Sequence, residues 1–84
     1  MQVTLKLYAW LTDYLPPEAR KNNRVSLQFQ DEVTITEVLS RQLVPAQHCH
    51  LVLINGTFIP PSQRATHPLK DGDVLAIWPP VAGG

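Results

Sequence analysis

Residues 34–43 read Thr34-Ile35-Thr36-Glu37-Val38-Leu39-Ser40-Arg41-Gln42-Leu43, and they decide the fold because they predict one short helix. Thr34 and Glu37 match a capping box, in which each side chain accepts a hydrogen bond from the backbone amide of the other residue. Val33 and Val38 stand where a hydrophobic staple would hold the start of a helix. A helix is therefore expected to begin directly after Thr34.

The apolar residues of this stretch fall on one side of the predicted helix. Helical spacing predicts one buried stripe, made of Ile35, Val38, Leu39 and Leu43. Pro45 disfavours a helical conformation at Val44, so we expect the helix over residues 35–43. One helix covers only one face of a sheet, and the other face is then either solvated or kept for a partner.

The segment before the helix predicts two strands. Residues 2–11 alternate between apolar side chains and polar or aromatic ones, which is typical of a half-buried strand. Residues 13–17 end this strand, and residues 18–24 are expected to form a polar connection. Alternation over residues 25–29 predicts a second strand, and the connection without a helical pattern favours antiparallel pairing of the two strands.

The segment after the helix predicts a hairpin. Asn55-Gly56 separates the apolar residues 51–54 from residues 57–59, and this dipeptide is the strongest short-range hairpin signal because both turn residues accept a positive φ. The expected cross-strand pairs are Leu53 with Phe58 and Val52 with Ile59.

The remaining residues predict one more strand. Pro60 and Pro61 end the hairpin, so its second strand is expected at a sheet edge. Residues 62–69 are expected to be a loop, and residues 70–73 a turn. Alternation over Val74–Trp78 then predicts the last strand.

Length and composition narrow the function. The chain has 84 residues, with Lys+Arg and Asp+Glu both at 7, so we expect one small domain without a basic face for nucleic acid. Its apolar runs are too short to span a bilayer, and no cationic segment followed by a long apolar stretch marks a secretory signal. The single cysteine, Cys49, makes no internal disulfide. We therefore expect a soluble cytoplasmic protein that binds neither nucleic acid nor membrane.

The large aromatic side chains form the first candidate site. Side-chain parity places them on the uncovered face of the sheet: Tyr8, Trp10, Phe58 and Trp78. We interpret them as a hydrophobic docking patch. The alternative is that loops cover them or that they are scattered surface aromatics.

Three further groups have structural explanations. Gln47-His48-Cys49-His50 resembles a metal-binding cluster, but neighbouring side chains on a strand point to opposite faces, so we expect no metal site. No activating partner of Cys49 is evident, which favours a buried thiol over a nucleophile. The acidic pairs are explained by helix capping at Asp31-Glu32 and by turn formation at Asp71 and Asp73.

The last stretch, Trp78-Pro79-Pro80-Val81-Ala82-Gly83-Gly84, is the second candidate site. Two prolines stiffen its start because their rings restrict φ. Beyond them the side chains shrink from valine to alanine to none. An uncharged, tapering tail that ends in an unhindered carboxylate is suited to a narrow cleft. No other convincing reactive group is present, so the Gly84 carboxylate is the predicted site of chemistry.

Residues 69–84, from Leu69-Lys70-Asp71-Gly72-Asp73 through the proline pair to Gly83-Gly84, resemble the MoaD/ThiS sulfur-carrier family. Residues 79–84 are most similar to the small subunits of molybdopterin synthase. The resemblance implies an α+β, ubiquitin-like β-grasp fold with a mixed five-strand sheet and one main helix on one face. It divides the chain into a domain over residues 1–78 and a flexible Gly-Gly tail over residues 79–84.

The same resemblance implies a carrier and not an enzyme in its own right. A ubiquitin-activating-like adenylating enzyme would use ATP to activate Gly84, and a sulfur donor would convert it to a covalent 1-thioglycine, with no cofactor bound by the carrier. The molybdopterin synthase large subunit would then receive the tail. Gly83 would give backbone access, and the implied partner-binding residues are Tyr8, Phe58, Trp78, Pro79, Pro80, Val81 and Ala82.

Other functions stay open at this point. Within the family, the carrier would serve thiamine, cysteine or tRNA thiolation instead of the molybdenum or tungsten cofactor. A ubiquitin-like modifier, joined through its glycine to lysines of other proteins, is an alternative of a different class. An interaction module with an incidental Gly-Gly end is another.

Overall fold

One helix packs on one face of a five-stranded sheet. The structure is a computed structural model that describes residues 1–80. Within that range the strands are β1 (Gln2–Leu7), β2 (Arg24–Gln28), β3 (Leu51–Ile54), β4 (Thr57–Phe58) and β5 (Val74–Trp78), and the helix is α1 (Ile35–Arg41). Short 3-10 segments connect them, at Ala9–Tyr14, Pro17–Asn22, Ala46–His48 and Pro61–Gln63.

The strand order is β2-β1-β5-β3-β4, which makes β5 the central strand and β4 an edge. β1 runs antiparallel to β2 and parallel to β5, whereas β3 is antiparallel to both β4 and β5. These pairings confirm the predicted mixed sheet, the antiparallel first pair and the edge position of β4. The arrangement is the ubiquitin-like β-grasp fold.

The core lies between the sheet and α1. Alternate residues of the strands point into it, and they are joined there by the apolar stripe of the helix. The fully buried strand and helix residues are Val3, Leu5, Leu7, Ile35, Val38, Val52, Leu75 and Ile77. The opposite face of the sheet therefore carries the side chains of the intervening positions.

The capping box at the start of α1 is confirmed. The Thr34 amide donates to Glu37 Oε1 at 3.2 Å, and the Glu37 amide donates to Thr34 Oγ1 at 3.3 Å. Val33 and Val38 are both buried, as a hydrophobic staple requires. The start of the helix is thus specified by a few adjacent residues.

The end of the helix differs from the prediction. α1 ends at Arg41 and not at residue 43, and Leu43 is 80% exposed although it was expected in the buried stripe. The Leu43 amide donates to the Ser40 carbonyl, and the Val44 amide donates to the Leu39 carbonyl at 2.9 Å. This is a Schellman motif, in which the residue after the cap turns left-handed and leaves the helical stripe.

We predict that Leu43→Gly stabilises the domain. Leu43 has φ of +60°, a conformation that costs a residue with a Cβ about 1 kcal/mol and that glycine adopts freely. After about 0.5 kcal/mol is subtracted for the greater entropy of glycine in the unfolded chain, the melting temperature should rise by about 2–4 °C. The melting temperature is measured by circular dichroism during heating. Leu43→Ala is the control, because it removes the exposed side chain and keeps the Cβ; an equal gain for alanine would contradict the strain argument.

Strand β1 is shorter than predicted. It ends at Leu7, and Ala9 has φ of +53°, which turns the chain into the 3-10 segment Ala9–Tyr14. The neighbouring strands explain this end, because β2 begins at Arg24 opposite Lys6 and the last pair between β1 and β5 is Leu7 with Ile77. Leu11 is still buried, but it reaches the core from a turn and not from a strand.

The predicted hairpin between β3 and β4 is confirmed. Asn55 and Gly56 both have positive φ, and Leu53 pairs with Phe58 as expected. The Ile59 amide donates to the Val52 carbonyl at 2.9 Å, which confirms the second expected pair.

Asp71 and Asp73 act as turn residues. The Lys70 amide donates to Asp73 Oδ2 at 2.8 Å, and Asn55 Nδ2 donates to Asp73 Oδ1 at 2.9 Å. The Gln2 amide donates to Asp71 Oδ1 at 2.6 Å. Both carboxylates are thus used to join β1 and the β3–β4 hairpin to the turn before β5, which agrees with the structural interpretation. Asp31 and Glu32 are exposed, and the helix cap is provided by Thr34 and Glu37 instead.

Candidate functional site: the open face of the sheet

The sheet face opposite α1 carries a continuous apolar patch. The strand register places Ala76 beside Leu53, and Leu53 beside Phe58, on this face. Leu51 lies opposite Trp78 in the next row toward the end of β5. We call this set, with Tyr8, the open-face patch: Tyr8, Leu51, Leu53, Phe58, Ala76 and Trp78.

Tyr8 and Trp78 form the centre of the patch. Their rings stack with centroids 4.1 Å apart and an angle of 3° between the planes. The Tyr8 amide donates to the Ile77 carbonyl at 3.1 Å, so Tyr8 continues the register of β1 along β5 for one residue beyond the strand. Because β1 and β5 are parallel, two aromatic residues 70 positions apart meet at the same end of the sheet.

Phe58 lies at the other side of the patch, on the edge strand β4. Its side chain is 49% exposed, which is high for phenylalanine. The structure thus brings Tyr8 and Trp78 into contact and places Phe58 on the same face. Their role in binding a partner stays a prediction.

Basic residues border the patch on its β1–β2 side. Lys6 lies beside Ala76 on β5 and opposite Arg24 on β2, so both cations share the open face. The open face is therefore apolar toward β3 and β4 and positively charged toward β2. A complementary surface would be apolar with an acidic margin.

Pro79 and Pro80 follow the patch directly. Pro79 is buried and Pro80 is exposed, so the chain leaves the body of the domain between them. The remaining predicted site residues, Val81, Ala82, Gly83 and Gly84, lie outside the described residues.

Trp10 was predicted to lie on the open face as part of the first strand, but it lies beyond the end of β1 and is not part of the open-face patch. Its ring meets the edge of His48, with centroids 4.9 Å apart and an angle of 80° between the planes. Cys49 is buried, and its Sγ is 3.5 Å from the Pro45 carbonyl, whereas His50 is exposed. These neighbouring side chains therefore have different surroundings, and no three His, Cys, Asp or Glu residues in residues 1–80 are placed to hold a metal ion.

A cavity of about 370 Å³ lies between α1 and the loops on the covered side of the sheet. It is lined by Thr36, Leu39, Ser40, Val44, Ala46, Cys49, Pro61 and Arg64. Burial raises the pKa of the Cys49 thiol, and the Arg64 charge offsets part of that rise. The thiol is thus held in its neutral, unreactive form near pH 7.

Arg64 is a structural residue that the sequence did not reveal. It is 8% exposed, and its guanidinium donates to the carbonyls of Ile59, Cys49 and His50 at 3.1, 2.8 and 3.3 Å. Burial lowers its pKa. Because its hydrogen bonds join the end of the hairpin to the start of β3, we assign it to stability. A lone arginine in a loop gives no sequence signal for this role.

We predict that Arg64→Met lowers the free energy of unfolding by about 2–4 kcal/mol, since it leaves buried carbonyls without donors. Urea unfolding followed by circular dichroism measures the loss. Arg20→Met is the matched control: Arg20 also donates to two carbonyls, those of Leu15 and Asp13, but it is exposed and should cost less than about 1 kcal/mol. An equal loss of free energy of unfolding in the two variants would contradict the view that burial makes the Arg64 hydrogen bonds more stabilising than those of Arg20.

The family model described as "ThiS family" matches residues 6–84, nearly the whole chain. The chain belongs to the ThiS family. No curated protein sequence matches it. None of the helices in residues 1–80 is long and apolar enough to cross a membrane.

Solved structures of ThiS-like proteins share the fold. A complex of subunits 1 and 2 of the molybdopterin-converting factor from Helicobacter pylori contains a chain that is 22% identical, with all of both chains covered and a TM-score of 0.60. SAMP1 from Haloferax volcanii is 19% identical over all of both chains, with a TM-score of 0.67. The thiamine biosynthesis protein ThiS from Geobacter metallireducens is 20% identical, covering 96% of this chain and 99% of its own, with a TM-score of 0.62.

These comparisons confirm the resemblance to ubiquitin-like sulfur carriers and the β-grasp fold. At such identities the likeness to each structure concerns the fold alone. The ThiS-family match extends to residue 84, so it includes the Gly-Gly end of the sequence.

Proposed function

We propose that this ThiS-family chain is a sulfur carrier and the small subunit of a molybdopterin synthase in molybdenum or tungsten cofactor biosynthesis. One observation carries the proposal: the stretch Pro79-Pro80-Val81-Ala82-Gly83-Gly84 follows the central strand β5 directly in the chain, and β5 ends at the stacked pair Tyr8 and Trp78 of the open-face patch. The Helicobacter pylori complex supports it, because there a chain of this fold is associated with a second subunit. The carrier has no active site of its own and acts in the cytoplasm.

The proposed chemistry occurs at the Gly84 carboxylate. One of its oxygens attacks the α-phosphorus of ATP on a ubiquitin-activating-like enzyme, which forms an acyl-adenylate and releases pyrophosphate. A sulfide-level nucleophile from the sulfur donor then adds to the carbonyl carbon and displaces AMP, leaving the thiocarboxylate and a proton. Adenylation is needed because a carboxylate is a poor electrophile. The 1-thioglycine is the covalent cargo, and the carrier binds no cofactor.

The tail follows a strand that is held at the centre of the sheet. β5 is bonded on both sides, to β1 and to β3, so the point from which the tail starts is held by the centre of the sheet. Residues 79–84 span up to about 20 Å when extended, which is enough to reach from a docked surface into a recessed partner site. Gly83 and Gly84 lack side chains that would crowd the activated carbonyl carbon.

The open-face patch is the proposed contact with the large subunit and with the adenylating enzyme. Trp78 and Tyr8 provide a stacked aromatic anchor, and Phe58 adds exposed apolar surface at the edge. Aromatic anchors of this kind dominate the energy of interfaces. Pro79, Pro80, Val81 and Ala82 would line the path from this contact to the reactive end.

Intact-mass analysis tests the proposal. The chain is co-expressed with an adenylating enzyme and a sulfur donor, and the mass of the purified carrier is measured. We expect the increase that corresponds to replacement of one oxygen by sulfur. The carrier must then convert a pterin precursor with the molybdopterin synthase large subunit. A thiocarboxylate that is consumed only by thiamine, cysteine or tRNA thiolation enzymes would overturn the pathway, and conjugates on lysines would indicate a protein modifier.

A further inference from the structure

Trp10 and His48 reach each other from opposite sides of the central strand. Trp10 follows β1 and His48 precedes β3, and β5 lies between these two strands. Their rings nevertheless meet edge to face, with centroids 4.9 Å apart. Since neighbouring strands are about 4.8 Å apart, β1 and β3 are separated by about twice that distance, and the side chains of Trp10 and His48 extend toward each other from the ends of these two strands.

The two aromatic residues meet at the end of β5. The Tyr8 amide donates to the Ile77 carbonyl at 3.1 Å on one side, and the His50 amide donates to the Trp78 carbonyl at 2.9 Å on the other. Trp10 and His48 are each two residues from these bonds, on the side toward which β5 leaves the sheet. Pro79, the next residue of the chain, is buried although it follows the end of the strand.

We propose that Trp10 and His48 form an aromatic bridge across the chain at Pro79 and fix the direction in which the tail leaves the domain. They are positioning residues, and their importance for sulfur transfer rests on the proposed function. Pro79 and Pro80 have restricted φ angles, so an orientation imposed on Pro79 is transmitted to Pro80. Without the bridge, Pro79 and Pro80 would sample a wider range of orientations relative to the sheet.

Loss of the aromatic bridge and loss of the open-face patch should affect different kinetic quantities. A docking residue contributes to affinity, whereas a positioning residue contributes to the fraction of bound encounters in which the reacting atoms are aligned. The Trp10 ring is 46% exposed, so its removal should leave the core intact. The conservative variant His48→Phe keeps an aromatic ring edge beside Trp10.

The first experiment is independent of sulfur chemistry. Residual dipolar couplings of the Cα–Hα bond of Pro80, measured by NMR in an aligning medium, report how narrowly Pro80 is oriented relative to the sheet. In Trp10→Ala and in His48→Ala we expect this coupling to fall at least about twofold, with the Ile77 coupling unchanged, whereas His48→Phe should resemble the original chain. An unchanged Pro80 coupling in both alanine variants would overturn the bridge.

The second experiment measures ATP–pyrophosphate exchange catalysed by the adenylating enzyme, with the carrier as the varied substrate. For Trp10→Ala we expect kcat to fall about tenfold and KM for the carrier to stay within about twofold, with recovery in Trp10→Phe. A raised KM with unchanged kcat would overturn the positioning role and assign Trp10 to docking. If the original chain is not adenylated at all, the proposed function fails, and the dipolar couplings still decide whether the bridge exists.

Discussion

Deletion of Gly84 is expected to abolish sulfur transfer while the melting temperature of the domain stays unchanged. The reactive carbonyl carbon would move back by one residue, about 3.5 Å, and the alignment needed for adenylation would be lost. We expect the rate of thiocarboxylate formation to fall by at least about 10³-fold. Addition of one residue after Gly84 should have the same effect, because the activated group would again be displaced.

The stability part of this prediction follows from the position of the core. The buried residues that the structure describes reach Ile77 and Pro79, and both precede the changed position. Intact mass after incubation with the adenylating enzyme, ATP and the sulfur donor measures the reaction, and circular dichroism measures stability. Leu43→Ala provides a comparison in which the tail is untouched. Normal thiocarboxylate formation by the shortened chain would show that Gly84 is not the reacting residue.

Trp78→Arg should weaken binding to the molybdopterin synthase large subunit by about 30-fold to 1000-fold. Trp78 stacks on Tyr8 at 4.1 Å and lies opposite Leu51, so the variant removes the central anchor of the open-face patch. It also places a third cation near Lys6 and Arg24. Loss of a buried aromatic anchor typically costs an interface about 2–4 kcal/mol, which corresponds to this range of affinity.

Leu43→Arg is the matched control for this prediction. It makes the same exchange of an apolar residue for arginine, at a site that is 80% exposed and lies beyond the helix end instead of on the open face. Titration calorimetry should find its affinity within about twofold of the original. Phe58→Arg tests the patch at the edge strand, where a folding defect is least expected. Unchanged affinity in both patch variants would show that the partner binds elsewhere.

The predicted elements are confirmed where residues close together in the chain specify them. The capping box at Thr34 and Glu37 formed as expected because its two hydrogen bonds lie within four residues. The turn at Asn55-Gly56 formed because both residues accept positive φ, and this set the pairing of Leu53 with Phe58. Strand β1 was predicted too long because alternation continues past the point at which its neighbours stop.

The candidate site was predictable only in part. The aromatic residues Tyr8, Phe58 and Trp78 could be assigned to one face from the period of two in their strands. The stack of Tyr8 on Trp78 depends on the parallel pairing of β1 with β5, and hydrophobic alternation does not say which strands are neighbours. The exposure of Leu43 was missed because a Schellman motif usually has glycine at that position.

The amino-acid sequence by itself determined the start of helix α1, the hairpin, the buried helix residues Ile35, Val38 and Leu39, and the ThiS-like end, since each depends on residues close together in the chain. The tertiary structure alone decided the burial of Arg64, the end of β1 and the meeting of Trp10 with His48. Those features join residues that are far apart in the chain, and they exist only once β5 has been placed between β1 and β3. Local sequence patterns encode periodicity and turn geometry, whereas spatial neighbours across the central strand are set by the packing of the whole domain.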